Sequence, residues 1–424
     1  MYYLYVLIIS LLIPIEFIRQ LIRINSNLAY RNRLSQTFGI IPIIKNHKPI
    51  IWVHAVSVGE VQASVPLISH LMSSYPEYQI LITTVTVTGA QSVSAIDMKG
   101  LIHGYLPVDH PLIISRFLRQ TKPTILIVME TEIWPVLYHK CHQITVPVII
   151  VNARISDKSF KQYQIVAGLT KTTLDKVSRI VAQSQHDADK FKTLITDTNK
   201  ISVMKNLKFD AAASLGENIY NEYLSELVGS RAVLLAASTH ANEELKLLGA
   251  FSKLENPFEN NFYIIVPRHP ERAKDIFSMA VNTGFNPFLF TDKDSRHKNC
   301  NMLIVDSIGI LTQLYTKADV VFMGGTLVPV GGHNMLEPAV ASRSIITGPY
   351  TENFREVYRL LNESHAIITV MDENELIQVI PDLLKDKNTR EEMGARAKQV
   401  VLENQGGVDD IKMLLDSYIK TTKK

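Results

Sequence analysis

From about residue 49 onward the chain alternates between two patterns. Short apolar runs, "PIIWVHA", "YQILITT", "LIHGYLP", "PTILIVM", "VPVIIVN" and "RIVAQS", are separated by stretches whose apolar residues recur at helical spacing. A strand covered on both faces must hide both sets of its alternating side chains, so it reads as a continuous apolar run, and such runs between helices predict a parallel α/β sheet. The pattern therefore predicts a first Rossmann-like domain over 25–205, most regular from about residue 45. The next segment, "NLKFDAAASLGENIYNEYLSELVGS" (206–230), has no strand run and reads as a linker. The alternation resumes with "AVLLAAS", "FYIIVPRHPER", "FLFT", "NMLIVD", "ADVVFMGG", "SIITG" and "AIITV". A second doubly wound domain over 231–424 follows, its last helix a candidate to cross back to the first. The expected architecture is α/β, two Rossmann-like doubly wound domains facing a cleft.

The amino terminus breaks this pattern. "MYYLYVLIISLLIPIEFIRQLIRI" (1–24) opens with an apolar run of about 15 residues before Glu16. Phe17, Ile18, Leu21 and Ile22 extend its apolar face, and Arg19, Arg23, Arg31 and Arg33 follow. No basic segment precedes the run and no small-residue cleavage site follows it, so it does not read as a secretory signal. Arginines behind an apolar helix match the positive-inside pattern and predict a membrane anchor with the rest of the chain on the cytoplasmic side. A helix lying in the membrane interface is the other reading.

Composition narrows the class. A chain of 424 residues exceeds a single compact core, and 46% hydrophobic with 20% charged residues is a globular balance. With 44 Lys and Arg against 41 Asp and Glu, the net charge of +3 calls for no nucleic acid partner. Cys141 and Cys300 lack any CxxC or Cys/His spacing, which fits a reducing compartment and argues against a structural zinc.

Ligands of open parallel sheets bind beyond the carboxyl ends of the strands, so polar segments there are the candidates. In "HAVSVGE", Glu60 follows Gly59 into a first helical turn, where it is either a dipole-stabilising residue or a base. His54 reads as a satisfied strand-end histidine. "TTVTVTGAQ" leads to Gly89 at a helix entry suited to an anion, although threonine is equally a strand and cap residue. "METEIWP" sets Glu130 and Glu132 at a strand end, open to a role in a cleft or in helix initiation, and "NARIS" adds Asn152 and Arg154. In the second domain Ser238, Thr239 and His240 follow one strand, and Arg268, His269 and Arg272 follow another. The pairs Gly324–Gly325 and Gly331–Gly332 bracket a loop with His333, expected to open a helix at Asn334 with Glu337 in its first turn, an arrangement suited to phosphate and ribose. P-loop and dinucleotide fingerprints are absent. Asp187–Asp189 and Asp292–Asp294 read as solvated surface, so no catalytic metal is expected.

Taken in order, "HAVSVGE", "TTVTVTG", "METEIWP", "NARIS", "LKFD", "STH", "PRHPER", "GGTLVPVGGHNMLEP" and "GPYTENF" closely resemble the 3-deoxy-D-manno-octulosonic acid (Kdo) transferase family of lipid A assembly, over nearly the whole chain. Asn206, Ala241 and Asn242 depart from the expected pattern and affect only local contacts. The resemblance implies a GT-B type glycosyltransferase that moves Kdo from CMP-Kdo to the 6′ side of a tetraacylated lipid A precursor. The reaction would invert the anomeric centre and use neither metal nor cofactor. It would run at the cytoplasmic face of the inner membrane, with the membrane surface as a partner. In that reading Glu60 is the general base, with Glu130 and Glu132 in the same catalytic site and Ser57 and Gly59 beside it. Arg268 and the Gly331–Gly332 helix start hold the leaving phosphate, Glu337 binds ribose, and Asn334 and Ser238 assist. Lys208, Thr239, His240, His269, Arg272, Gly325 and His333 complete the donor contacts. Another nucleotide-sugar transferase or epimerase, or a non-catalytic membrane-associated nucleotide-sugar-binding protein, are the alternatives.

Overall fold

The computed structural model describes residues 1–26, 31–41, 48–96, 98–213, 221–255, 257, 259–292 and 299–421. The chain forms two compact units, Met1–Ala211 with Gln405–Lys424, and Ala212–Asn404.

The first unit is built on seven parallel strands: β1 (Ile50–His54), β2 (Gln79–Thr84), β3 (Ile102–Tyr105), β4 (Pro123–Met129), β5 (Val148–Ala153), β6 (Arg179–Ala182) and β7 (Ile201–Val203). Their order is β3-β2-β1-β4-β5-β6-β7. Ile50 and Trp52 pack on one face with Phe117, Leu126 and Ile150, while Ile51 and Val53 pack on the other with Ile82, Ile127 and Val151. Both faces are covered, which is why these strands read as unbroken apolar runs. Val408, Ile411, Leu415 and Ile419 of the helix Gly407–Thr421 complete the second face, so the carboxyl-terminal helix is part of this core. Its entry is tied down by Asp210, whose carboxylate accepts from the Gly406 and Gly407 amides at 3.0 and 3.2 Å, and by Lys205, whose Nζ donates to the Gln405 carbonyl at 2.7 Å.

The second unit holds β8 (Ala232–Thr239), β9 (Asn261–Pro267), β10 (Pro287–Leu289), β11 (Met302–Ile304), β12 (Val320–Met323), β13 (Ser344–Thr347) and β14 (Ile367–Thr369). They are parallel, in the order β10-β11-β9-β8-β12-β13-β14. Within the segment read as a linker, Leu207–Ala213 and Asn221–Val228 are helices, and 214–220 lie outside the described residues.

In both sheets the first strand in sequence lies inside the sheet, third of seven in the first and fourth of seven in the second. The chain leaves β1 towards β2 and returns to its other side at β4; it leaves β8 towards β9 and returns at β12. Loops leaving the carboxyl ends of two such strands diverge to opposite sides and open a crevice between them. Glu60 follows β1 and Glu130 follows β4; His240 follows β8 and Gly324 follows β12.

Candidate functional site

At the β1/β4 crevice of the first unit a cavity of about 230 Å³ is lined by Glu60, Glu130, Glu132, Arg154, Ser156 and Tyr163, with Thr131 and Ser159 beside them. Glu60 is the third residue of the helix Val58–Ser74, whose N-cap is Ser57. Its carboxylate reaches back over that start, accepting from the Val56 amide at 2.8 Å and from the Ser57 hydroxyl at 2.9 Å. Both bonds run to Glu60, so only the glutamate half of a capping box is present, and it holds the side chain back over the helix start. A carboxylate stabilised as the anion by the helix start would be the expectation from the dipole alone, yet the result is the opposite. Burial, with only 8% of Glu60 exposed, and then the charge of Glu130 lift its pKa to about 7, against the hydrogen bonds from Val56 and Ser57.

Glu132 is raised further, to about 8, first by burial and then by Glu60. The Glu130 carboxylate forms an ion pair with Lys208, whose Nζ lies 3.0 Å away. The Glu130 backbone is left-handed, φ 53°, as is Asn152 at the end of the neighbouring β5, φ 53°. Two non-glycine residues in that region at adjacent strand ends mark locally strained turns. Gly59 has a negative φ, and open space surrounds the position of an added Cβ. His54 is fully buried, its Nδ1 2.9 Å from Thr83 Oγ1, and burial lowers its pKa to about 4. It is a packed strand residue. The Gly89 amide, a candidate anion donor, is already taken by Thr86 Oγ1 at 3.0 Å.

At the β8/β12 crevice of the second unit the loop after β12 folds tightly on itself. A Cβ on Gly324 would meet the Ser238 carbonyl oxygen at 2.3 Å, and Gly325 (φ 70°) lies against the His333 ring. The Gly332 amide donates to the Gly325 carbonyl at 2.8 Å, and Asn353 in "GPYTENF" closes the far side by donating from its amide to the Gly331 carbonyl at 2.9 Å. The amides of Gly325, Thr326 and Leu327 point at one acceptor, the fully buried carboxylate of Glu243, at 2.7, 3.0 and 2.9 Å; the His240 amide joins them at 2.9 Å. A backbone nest of this kind suits an external anion. Here the protein's own carboxylate occupies it, so the Gly325 amide, expected to face the donor, is committed internally.

Arg272 is engaged by Glu244, which is 1% exposed, through contacts of 2.5 and 3.1 Å, while its own side chain stays 22% exposed. The helix after Gly332 is Leu336–Val340 and does not start at Asn334; Asn334 precedes it, accepting from the Leu336 amide at 3.2 Å and donating to Glu337 at 3.0 Å. Glu337 lies in its first turn, its pKa raised by burial. His240 and His333 meet Nε2 to Nε2 at 2.8 Å with nearly coplanar rings, and His269 stands edge-on to His240 at 5.9 Å. Burial, then His240 and Arg268, lower His333 to about 4. Arg268 itself is exposed and makes no ion pair among the described residues. Ser238 is left-handed, φ 56°, and the buried Thr239 hydroxyl has no partner among the described residues.

Sequence reasoning missed Glu243 and Tyr163. Tyr163 had a signal, since it sits on the helix Asp157–Ile165 that follows a sheet strand. Asp187, read as solvated, is 6% exposed and accepts from the Ile155 amide at 2.9 Å, and Asp294 lies outside the described residues.

Comparison with known proteins finds relatives over most of the chain. Residues 32–211 match the family model for 3-deoxy-D-manno-octulosonic-acid transferase (kdotransferase). A 3-deoxy-D-manno-octulosonic acid transferase of Haemophilus influenzae is 33% identical over 92% of this chain and 92% of its own. One from Rickettsia bellii is 29% identical over 99% of both chains. Solved structures share the architecture at low identity. A UDP-N-acetylglucosamine 2-epimerase from Listeria monocytogenes, itself described as putative, has TM-score 0.60 and 14% identity over 88% of this chain and 97% of that one. A glycosyltransferase from Rickettsia africae has TM-score 0.59 and 16% identity over 88% and 100%. With 33% identity sustained across 92% of both chains in the first of these relatives, this protein belongs to the 3-deoxy-D-manno-octulosonic acid transferase family.

Proposed function

We propose that this chain transfers Kdo from CMP-Kdo to the 6′ side of a tetraacylated lipid A precursor, inverting the anomeric carbon without a metal ion, at the cytoplasmic face of the inner membrane. The observation that carries this reading is the carboxyl of Glu60, fixed by the Val56 amide and the Ser57 hydroxyl and poised at about 7 in an acid-lined cavity. A general base works best when its pKa lies near the working pH. Glu60 takes the proton of the acceptor hydroxyl as that oxygen bonds to the anomeric carbon and the bond to the CMP phosphate breaks. Glu132, raised to about 8, carries a proton at neutral pH and donates a hydrogen bond to a sugar oxygen. Glu130, paired with Lys208, orients the acceptor.

In the second unit Arg268 and the amides not taken by Glu243 stabilise the leaving phosphate, the role a metal has in other transferases. Ser238, Thr239, His269, His333 and Asn334 complete the donor contacts, and Glu337 receives the ribose hydroxyls. The test is incubation with CMP-Kdo and the tetraacylated precursor, reading product masses for wild type and Glu60→Gln. Turnover should collapse in the variant while CMP binding survives. Near-normal transfer by Glu60→Gln would remove Glu60 as the base, and no mass gain with wild type would remove the acceptor.

A further inference from the structure

The cavity at the β1/β4 crevice is lined by the carboxyls of Glu60, Glu130 and Glu132, and among its described lining residues Arg154 is the one cation. The neighbouring lysines are paired: Lys208 Nζ stands 3.0 Å from Glu130, and Lys190 Nζ stands 2.7 Å from Asp157. Arg154, half-buried, makes neither a hydrogen bond nor an ion pair through its guanidinium among the described residues. It does not serve the acids around it either, since it is not among the groups that lower Glu60 or Glu132.

The backbone that carries this side chain is fixed. Thr131, in the turn after β4, bonds to both polar groups of the Arg154 backbone, its hydroxyl donating to the carbonyl and accepting from the amide at 3.2 Å. One residue on, the Ile155 amide donates to the buried carboxylate of Asp187 at 2.9 Å, and the Ile155 carbonyl accepts from Lys190 at 2.8 Å. The left-handed Asn152 lies where the pairing of β5 with β6 shifts register, just before Arg154. Ser156 and Ser159, bonded hydroxyl to hydroxyl at 2.9 Å, stand on the same cavity wall. A guanidinium placed so firmly and left without a partner is pre-organised for an anion.

We propose that Arg154 receives the carboxylate of the transferred sugar, with the Ser159 hydroxyl beside it. The inference rests on the transfer reading above and adds to it the group that orients the donor sugar. Kdo is a ketosonic acid, and its carboxylate is bonded to the anomeric carbon itself. If Glu60 meets the attacking hydroxyl at about 3 Å, and that oxygen approaches the anomeric carbon at about 3 Å, the carboxylate lies within roughly 7 Å of Glu60. An anion that close to Glu60 and Glu130 is repelled, the more so where water is excluded. Arg154 offsets the repulsion and offers two parallel N–H donors to the two carboxylate oxygens, which fixes the face of the sugar shown to the acceptor. The carboxylate takes no part in the bond changes. The acceptor oxygen bonds to the anomeric carbon, its proton passes to Glu60, and the electron pair of the broken bond leaves on the CMP phosphate.

The experiment compares CMP-Kdo with the same donor carrying a carboxamide in place of the carboxylate, in full-length wild type, Arg154→Met and Arg154→Lys, following transfer to the tetraacylated precursor by product mass. Wild type should favour the acid donor in kcat/KM by at least about tenfold. That preference should vanish in Arg154→Met, mainly through loss with the acid donor, and return in part in Arg154→Lys. A preference unchanged in Arg154→Met, with both donors slowed alike, is what a merely structural role would give and would overturn the inference. A second arm needs no transfer: saturation-transfer NMR reads the binding of free Kdo, of its carboxamide and of inorganic phosphate to wild type and Arg154→Met. Kdo binding that depends on Arg154, beside no transfer to the precursor, upholds the inference and removes the acceptor of the reading above. Equal signals from Kdo and its carboxamide, or dependence on Arg154 for phosphate alone, would overturn the inference whatever the transfer assay shows.

Discussion

Lys208 Nζ lies 3.0 Å from the Glu130 carboxylate, and Glu130 is the largest charge raising Glu60. The ion pair therefore sets how much of that charge Glu60 feels. Glu130→Gln removes the repulsion and should move the rising limb of the transfer rate below its expected midpoint of about 7. Lys208→Met strips the compensation from Glu130 and should move the same limb upward. A pH profile of kcat/KM for the three proteins checks both signs, and unmoved midpoints would separate Glu130 from the base.

Stability should carry the same signature. The folded pKa values of Glu60 and Glu132, about 7 and about 8, stand above the ordinary carboxylate value, so the folded state binds more protons than the unfolded chain between about pH 4.5 and 8. The sign follows directly: stability is lost as pH rises through that window. Glu132→Gln, which keeps shape and removes one titration, should flatten the fall in denaturation midpoint between pH 5 and 8, as followed by circular dichroism.

The carboxylate of Glu243 gathers four amides that have no other acceptor within the loop. Glu243→Ala should destabilise by about 3–5 kcal/mol, as expected when one partner of a buried charged network is deleted. Glu243→Gln should recover much of that while still raising the KM for CMP-Kdo more than it lowers kcat, because one of its two acceptor atoms becomes a donor facing donors.

Arg268 and Arg272 belong to one motif and should behave differently. Arg272→Met abandons the buried Glu244 carboxylate and should cost about 3–5 kcal/mol of stability. Arg268→Met touches an exposed side chain, so the melting midpoint should hold while CMP-Kdo binding weakens about tenfold or more. Calorimetric titration beside thermal melts separates the two.

The strands were legible because Ile50–His54 and its neighbours bury both faces, which leaves a run no helix period imitates. Glu60, Glu130 and Glu132 were legible as acids at strand ends, and the crevice they share comes from strand order, which local pattern does not encode. Glu243 was not legible. It meets amides more than eighty residues away, and in sequence it is simply one of two acids opening a helix. Arg272 beside Arg268 and His269 looked like a cationic cluster for the same reason, because its partner Glu244 lies on the helix after β8. Asp187 looked solvated since nothing nearby in sequence announces the Ile155 amide it accepts from.

The ties of Asp210 to Gly406 and Gly407, and of Lys205 to Gln405, hold the outgoing and returning chain side by side within the first unit. The second unit is therefore topologically a guest in a loop whose ends are already stapled. A splice joining Ala211 to Gln405 would need only a short bridge to keep the host intact, whereas cutting the chain after Asn404 would remove Val408, Ile411, Leu415 and Ile419 and open one face of the host sheet to water.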